Sequence, residues 1–570
     1  MRIKILNFLF TIIFIIIALT LLSVEVIQGH KFRELSNKNC IRLVPQLGTR
    51  GMILDRQGQV IVDSYLSYDV MLLPQDDDDI DKVLQGLSKA LGLTPQELKT
   101  RFRKGFIAPS IPVTIAENIT VKKAIALEEM KMELPGVVIQ PHPLRNYPYG
   151  RLAAHLLGYL NEIDHWRLTK LSDYGYKTKD IVGFGGVEEK YDYYLRQEEG
   201  GLSTQVDHRG RFVRTLGYRP PQNGRDIQLT LDLRVQKLAE QALGDQAGCV
   251  VVMEPYTGEI LAMTSNPDFN PATFVEKKAA SGVTGLFDNP SAPLINRATS
   301  STYPPGSVFK VVIAAAGLET EKINLATTTN CNGSFYVGRQ EFACWNTHGV
   351  QNVIGALMHS CNVFFYRTGL MVGPQHISEY ALRFGFSKPT GIDLPYESSG
   401  FVPSPLWKRM YRFKSWFNGD TANFSIGQGD LLVSPLQITR MMAVFANRGF
   451  LVRPYVLKGV DGKDISLYQR KFSRVNIKES TINIIRQGLR KVAQEGGTAG
   501  IFSELKVEVA GKTGTAQVPY GQPHGWFAGF FPYKTPRFVV CVFLEHGGAG
   551  YYSSMVVKRI LEGMIKEGII

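Results

Sequence analysis

Hydrophobic and polar positions divide this chain into stretches of different period. From Ile5 to Val24 an apolar run continues with no charged residue. Roughly 20 mainly apolar residues in helical form cross a bilayer core, so residues 5–24 are expected to be a membrane anchor. Residues 25–225 mix short strand-like and helix-like patterns with many basic and polar positions. Within them the acidic run Asp76–Asp79 precedes the amphipathic stretch Val83–Leu91 and reads as a solvated helix start. Tyr218-Arg-Pro-Pro-Gln-Asn-Gly224 is a loop by composition. A new unit begins with the strand-like Asp226–Leu231 and a helix from Asp232 to about Ala242. Cys249–Met253 and Glu259–Met263 flank Pro-Tyr-Thr-Gly, which predicts a hairpin. The apolar run Val308–Gly317 predicts a buried helix, and Val363–Tyr366 is a further apolar segment. Val507–Gly511, Trp526–Phe530 and Arg537–Phe543 read as strands, with Pro519–Gly525 as the turn between the first two. Ser553–Lys566 has helical spacing. The expected fold class is α+β. An antiparallel sheet flanked by helices follows an extended α+β pedestal and one N-terminal transmembrane helix.

At 570 residues the chain is too long for one compact domain. The expected division is a cytoplasmic N-terminus at 1–4, the anchor at 5–24, a non-catalytic pedestal at 25–225 and a catalytic domain at 226–570. Arg2 and Lys4 precede the anchor, which favours a cytoplasmic N-terminus and an extracytoplasmic bulk in a single-pass cytoplasmic (inner) membrane protein. A cleaved signal peptide is the competing reading, weakened by the length of the run and the lack of a small-x-small site after it. Net charge is +13, with a pI near 9.2. Such a surface suits anionic lipid headgroups or an anionic wall polymer. A basic bias of the whole proteome is the plain alternative. No helix-turn-helix, zinc-finger or RNA-binding signature points to nucleic acid.

Three triplets carry the chemistry: Ser307-Val-Phe-Lys310, Ser360-Cys-Asn362 and Lys512-Thr-Gly-Thr515. The lead-in Ser301-Thr-Tyr-Pro-Pro-Gly306 cannot be helix interior, so Ser307 is expected at a helix N-terminus with Lys310 at i+3 on the same face. A serine hydroxyl needs a base to become a nucleophile, and lysine serves only when neutral. Burial and a second cation, Lys512, are the expected causes of that neutrality. Ser360 is placed to relay a proton, and Asn362 to hold a substrate amide. Lys512, Thr513 and Thr515 would line a strand that pairs with a peptide and binds its carboxylate, Gly514 letting the substrate backbone approach. Backbone N–H groups of Ser307 and Thr515 are natural oxyanion donors. Taken singly, the triplets read as a helix cap with a snorkelling lysine, an N-cap and a guarded edge strand. Together and in order they resemble the S-x-x-K, S-x-N, K-T-G set of the penicillin-recognising serine acyl-enzymes.

The resemblance extends along nearly the whole chain. Arg50-Gly-Met-Ile-Leu-Asp-Arg56, Arg145-Asn-Tyr-Pro-Tyr-Gly150 with Ala154-His-Leu-Leu-Gly-Tyr159, and Gly185-Gly-Val-Glu-Glu189 resemble segments of class B penicillin-binding proteins. Trp416-Phe-Asn-Gly-Asp-Thr421, Ser425-Ile-Gly-Gln-Gly429 and Ser434-Pro-Leu-Gln437 resemble the elongation type, the penicillin-binding protein 2 group, more than the division type. This resemblance implies a peptidoglycan D,D-transpeptidase. Ser307 would be acylated by a donor stem peptide at D-Ala-D-Ala, the terminal D-Ala would leave, and an amine of a neighbouring stem peptide would attack to form a 4→3 cross-link. β-Lactams would acylate the same serine. The chemistry needs no cofactor. With no glycosyltransferase domain in the chain, the resemblance implies a polytopic polymerase partner of the shape, elongation, division and sporulation family. A division-type transpeptidase, a membrane-anchored carboxypeptidase, a secreted β-lactamase or carboxypeptidase, a β-lactam sensor and a scaffold with a dead domain are the alternatives. The long N-terminal region and retained anchor weigh against a secreted enzyme, the few residues ahead of the anchor against a sensor, and the intact triplets against a dead scaffold.

Six cysteines complete the inventory. Cys249 and Cys541 lie in apolar strands and read as buried free thiols, while Cys40 has no assigned role. Cys331, Cys344, His348 and Cys361 have the spacing C-x12-C-x3-H-x12-C, which offers the four ligands tetrahedral zinc takes. In an extended segment Cys361 would point away from Ser360 and Asn362, so a closed structural zinc would brace the active-site wall from behind. A Cys331–Cys344 disulfide, or three unrelated reduced thiols, are the competing readings.

Overall fold

The structure, a computed structural model, describes residues 2–73, 80–106, 112–206, 212–275 and 280–570. The acidic run Asp76–Asp79 and the side chain of Cys40 lie outside the described residues. The chain forms two compact units, and neither is continuous in sequence.

The first unit comprises Met1–Arg50, Ser64–Leu144 and Arg196–Gly224. It opens with one helix, Ile3–Ile27, long and apolar enough to cross a membrane and with none of its apolar window buried. The strands Ile41–Gln46, Gly200–Val206 and Phe212–Arg219 form an antiparallel sheet with Gly200–Val206 in the middle. The helix Ile80–Leu91 buries Val83, Leu84, Leu87 and Leu91, a spacing that puts one stripe against the core. Thr94 caps the next helix, Pro95–Gly105, in a reciprocal box with Glu97.

The second unit comprises Gly51–Asp63, Arg145–Leu195 and Arg225–Ile570. A single cut at 225 therefore follows the chain but not the packing. The segments Gly51–Asp63 and Arg145–Leu195 fold with the triplet-bearing region. Arg145 and Glu188 form a fully buried ion pair at 2.8 Å, and Arg145 also donates to the Gly51 carbonyl at 2.6 Å. Gly51, Arg145 and Glu188, far apart in sequence, thus meet around one guanidinium. Removing one partner of such a pair leaves an uncompensated buried charge, which costs about 3–5 kcal/mol.

The sheet of this unit runs Ile260–Asn266, Gly248–Met253, Phe538–Leu544, His524–Phe531, Ala510–Ala516. Every neighbouring pair is antiparallel. Strand alternation sorts its side chains into two cores. Cys249, Val251, Met253, Cys541 and Phe543 face the layer that holds helix Lys310–Glu319. Val250, Val252, Val540 and Val542 face the helices Leu233–Leu243 and Gly550–Lys566. Cys249 and Cys541 are buried free thiols, as their apolar strands predict.

Most predicted elements are present within a few residues. The largest shift concerns the last triplet. The alternating run Val507–Gly511 only leads into the strand, which is Ala510–Ala516, so Lys512–Thr515 is the strand itself. That strand is the sheet edge. A hairpin between the first two triplets, Ser334–Val337 paired with Gln340–Ala343, was not anticipated.

Candidate active site

The Ser307 turn is set by its glycine. Gly306 has φ +54°, and a Cβ there would lie 2.7 Å from the Thr515 carbonyl oxygen. Both the left-handed backbone and the contact exclude other residues. Gly306–Phe309 is a short 3₁₀ turn that runs into helix Lys310–Glu319. Nine residues of that helix, Lys310 to Leu318, are buried. Ser307 is half-buried, and its hydroxyl makes no hydrogen bond among the described residues. Gly514 serves the same junction from the other side. A Cβ on it would lie 2.9 Å from the Pro305 carbonyl and 2.9 Å from Val308 Cγ2. The absence of a side chain at Gly514 is thus already required by the serine turn.

Lys310 is completely buried. Its Nζ donates to the Ser360 carbonyl at 2.7 Å, to Ser360 Oγ at 3.3 Å and to Asn362 Oδ1 at 2.6 Å. Burial lowers its pKa to about 7, against a smaller upward pull from the sulfurs of Cys344 and Cys361. Lys512 is also fully buried, donating to the Thr513 carbonyl at 3.0 Å. Its pKa is held well below the ordinary lysine value, first by burial and then by the positive charge of Lys310. Burial is thus the first cause of the low pKa at both lysines, and the repulsion between their two ammonium groups, being mutual, adds to it.

The other two hydroxyls of the third triplet differ. Thr515 is exposed, and its Oγ1 accepts from Gly550 N at 3.1 Å. Thr513 is buried and its hydroxyl is bonded to Thr498 Oγ1 at 2.7 Å. Thr498 also donates its N–H to the Met358 carbonyl at 3.3 Å, so one residue ties the edge strand to the helix before Ser360. Thr498 was missed. Its only sequence signal is the glycine-rich turn Glu495-Gly-Gly-Thr498.

Ser360 does not lie in an extended segment. It has φ +53°, between the helices Val353–Met358 and Asn362–Val372, with Cys361 as the N-cap of the second. A left-handed backbone in a non-glycine residue costs about 1–2 kcal/mol. The turn nonetheless delivers Ser360 and Asn362 to Lys310.

Behind it, Cys331, Cys344, His348 and Cys361 converge, their ligand atoms all within 4.8 Å of one another. Cys331 Sγ and Cys344 Sγ each lie 3.5 Å from His348 Nδ1. Cys331 and Cys344 flank the unanticipated hairpin, and the backbone N–H of Asn362 donates to Cys344 Sγ at 3.2 Å. Cys344 is pulled below the ordinary thiol value, first by the hydrogen bond from Cys361 and then by the backbone N–H groups of Asn346, Asn362 and Val363. The same pairing pushes Cys361 upward, since it keeps the shared proton. All three cysteines are free thiols, so no Cys331–Cys344 disulfide is formed. His348 Nε2 is buried without a hydrogen-bond partner, while Nδ1 faces the sulfurs. Three sulfurs and one imidazole nitrogen at this separation fit a tetrahedral zinc ion.

Comparison with known proteins agrees with this geometry. The chain matches the penicillin binding protein transpeptidase domain over residues 248–566 and the penicillin-binding protein dimerisation domain over residues 45–229. It is 32% identical over 563 residues to the peptidoglycan D,D-transpeptidase MrdA of Acinetobacter baumannii, covering 94% of this chain and 83% of that one. It is 31% identical over 575 residues to MrdA of Escherichia coli, covering 95% and 90%. Among solved structures, penicillin-binding protein 2 of Helicobacter pylori in complex with MreC aligns with a TM-score of 0.82 at 27% identity, over 93% of this chain and 99% of that one. A chain from a peptidoglycan synthase complex that coordinates polymerization and crosslinking aligns with a TM-score of 0.76 at 27% identity, over 99% and 98%. Triplets, fold and relatives agree: the chain belongs to the class B penicillin-binding proteins of the cell-elongation type.

Proposed function

We propose that Ser307 is the acylated nucleophile of this peptidoglycan D,D-transpeptidase and that Lys310 is its base. The observation that carries this is the buried Lys310, held near neutrality one turn from Ser307 and hydrogen-bonded to both residues of the second triplet. In acylation, Ser307 Oγ attacks the carbonyl of the penultimate D-Ala of a donor stem peptide while Lys310 Nζ takes the hydroxyl proton. The N–H groups of Ser307 and Thr515 receive the developing oxyanion; the tight junction at Gly306 supports that pairing. Ser360 passes a proton to the departing amine, the C–N bond breaks, and D-Ala leaves. An amine of a second stem peptide then attacks the ester, its proton returning through Lys310 to Ser307. Lys512 and Thr515 bind the terminal carboxylate, Asn362 orients the donor amide, and Thr513, engaged by Thr498, holds the edge strand in place. β-Lactams acylate Ser307 by the same first step.

The helix Ile3–Ile27 supports a single-pass membrane anchor, and Arg2 and Lys4 ahead of the apolar run favour a cytoplasmic N-terminus with the catalytic domain outside. Residues 25–225 are assigned mainly to a pedestal without catalytic groups. The likeness to a chain of a peptidoglycan synthase complex supports a polytopic glycosyltransferase as partner. Cys331, Cys344, His348 and Cys361 are assigned to a structural zinc. When bound, the metal supplies a closed cross-link and no chemistry at the reacting bond.

Labelling with a fluorescent penicillin, followed by mapping of the adduct, tests the central assignment. The adduct is expected at Ser307 alone, and Ser307→Ala is expected to abolish labelling while the melting temperature stays unchanged. Stoichiometric labelling of that variant would overturn it.

A further inference from the structure

The hairpin of Ser334–Val337 and Gln340–Ala343 is a sheet of two strands, so the outer edge of Gln340–Ala343 has no strand against it among the described residues. The register decides which backbone groups face that edge. Cys344 N donates to the Gly333 carbonyl at 2.7 Å, one step beyond the opposed pair Ser334 and Ala343. Bonded and non-bonded pairs alternate along an antiparallel ladder. Ala343 and Glu341 are therefore non-bonded positions, and their N–H and C=O groups point outward, away from the partner strand.

One of these outward groups is tied to the active site. The Ala343 carbonyl accepts from Asn362 Nδ2 at 3.2 Å and from Tyr366 Oη at 3.2 Å. The other end of the same amide, Asn362 Oδ1, accepts from Lys310 Nζ at 2.6 Å. The hairpin edge thus begins one side-chain amide away from the buried base. The N–H groups of Ala343 and Glu341 and the Glu341 carbonyl have no hydrogen-bond partner among the described residues. Phe342 is buried and packs on Tyr366, while Gln340, Glu341 and Ala343 are exposed. Strand alternation places the Glu341 side chain on the face opposite Phe342. The Glu341 carboxylate and the Arg339 guanidinium in the hairpin turn are both exposed, and neither forms an ion pair among the described residues.

We propose that the outer edge of Gln340–Ala343 binds the acceptor stem peptide, the one that brings the amine. The inference rests on the transpeptidase reading, which needs two peptides at one serine. The donor is assigned to the sheet edge Ala510–Ala516, and the hairpin offers a second free edge on the opposite wall. An extended peptide laid along a strand edge gains main-chain hydrogen bonds, here with the outward groups of Glu341 and Ala343. Charge favours the acceptor as occupant. An acceptor stem peptide arrives with a protonated amine, which the unpaired Glu341 carboxylate attracts, and with carboxylates, which Arg339 attracts. The ammonium gives one proton to water and reaches the ester as the neutral amine, and transfer then follows the second half-reaction described above. A β-lactam, which needs no acceptor, makes no use of this edge.

The test uses the full chain in detergent with a donor stem peptide ending in D-Ala-D-Ala. The acceptor is an amine-bearing stem peptide that lacks D-Ala-D-Ala and so cannot act as donor. Cross-linked and hydrolysed products are separated by chromatography, and the acceptor concentration for half-maximal cross-linking is read. Glu341→Gln is expected to raise that concentration about threefold, the scale of an exposed ion pair, and to weaken its dependence on salt. Glu341→Pro also removes an outward N–H without touching the hairpin's own ladder, and a rise of about tenfold is expected. Penicillin acylation, which reads the donor half alone, is expected within about twofold of the parent in both variants. Parental half-saturation in both variants would overturn the subsite. So would a fall in penicillin acylation that matches the fall in cross-linking, which would make the edge a structural brace only. A parent that hydrolyses donor but never transfers it to the amine would overturn it as well. Failure of the parent to be acylated at all would instead refute the transpeptidase reading, so the two failures are distinct.

Discussion

The two walls that enclose the reacting serine are built by different means. The wall of Lys512 and Thr515 is the edge of a five-stranded antiparallel sheet. Each of its residues from Ala510 to Ala516 is registered against a partner on His524–Phe531, and both sheet faces are covered by apolar cores. The wall of Ser360 and Asn362 is a turn between two helices, adjoining a two-stranded hairpin, with a cluster of three cysteines and a histidine beneath it. An isolated hairpin is at best marginally stable. The sheet wall is held by backbone and burial, and its fine position by glycines. The turn wall rests on a side-chain cluster, Cys331, Cys344, His348 and Cys361. The turn wall delivers Ser360 and Asn362 to Lys310, while the sheet wall carries the second buried lysine, Lys512, so each is expected to fail in its own way.

The largest effect is expected at the junction of the sheet wall with the serine turn. Gly306→Ala forces a Cβ to within 2.7 Å of a backbone oxygen and keeps the residue in a left-handed conformation. The conformational part alone costs about 1–2 kcal/mol. Acylation by penicillin is expected to fall more than about 100-fold as Ser307 is displaced from its oxyanion donors. Stopped-flow acylation and circular dichroism melts check this; an active, parent-like variant would mean the junction is compliant.

Next comes Lys512. Its loss removes a charge-assisted hydrogen bond to the substrate carboxylate, worth about 1.5–3 kcal/mol, so Lys512→Ala is expected to slow acylation roughly 10- to 100-fold. Lys512→Arg keeps charge but changes reach, and only partial recovery is expected. Burial is the first cause of the low Lys310 pKa, so in Lys512→Ala the pH midpoint of acylation is expected to move upward by less than about one unit. A larger displacement would make the charge of Lys512 the main cause.

The turn wall is expected to give a smaller catalytic effect and a clearer thermal one. Protein purified without added metal is expected to hold about one equivalent of zinc. Cys361→Ser is expected to lower the melting temperature by at least about 3 °C and to slow acylation several-fold, although Cys361 touches no substrate. Less than about a tenth of an equivalent of metal, with parent-like stability of Cys361→Ser, would reduce the cluster to packing.

Much of this was legible in sequence, for reasons that mark the limits. Ser307, Lys310, Ser360, Asn362 and Lys512 could be found because their chemistry demands residue types in a fixed order. The strands Gly248–Met253 and Phe538–Leu544 could be found because both faces are buried, leaving continuous apolar runs. The convergence of Cys331, Cys344, His348 and Cys361 followed from ligand count, and the structure brings the four together. What stayed hidden depends on distant contacts. That Pro305 and Val308 pack against Gly514 has no sign in the sequence. Ser360 reads as extended because nothing local announces a left-handed serine; Lys310 and the two flanking helices hold it there. Arg145 and Glu188 are separated by 43 residues, and their burial is invisible until the chain folds back. Lys310 and Lys512 look like a reciprocal pair in sequence, yet burial dominates the titration of both.

The central claim is that desolvation makes Lys310 the base for Ser307. The most direct measurement is the second-order rate of penicillin acylation of the parent protein between pH 5.5 and 10. Burial disfavours the protonated form, so Lys310 is charged and inactive below its folded pKa and neutral above it. The same burial costs folding stability in full below about pH 7 and progressively less as pH rises toward the ordinary lysine value of 10.5. The account predicts an acylation rate that rises with pH, reaches half its maximum near pH 7 and then levels. A rate flat from pH 6 to 8, or one still climbing at pH 10, would contradict it.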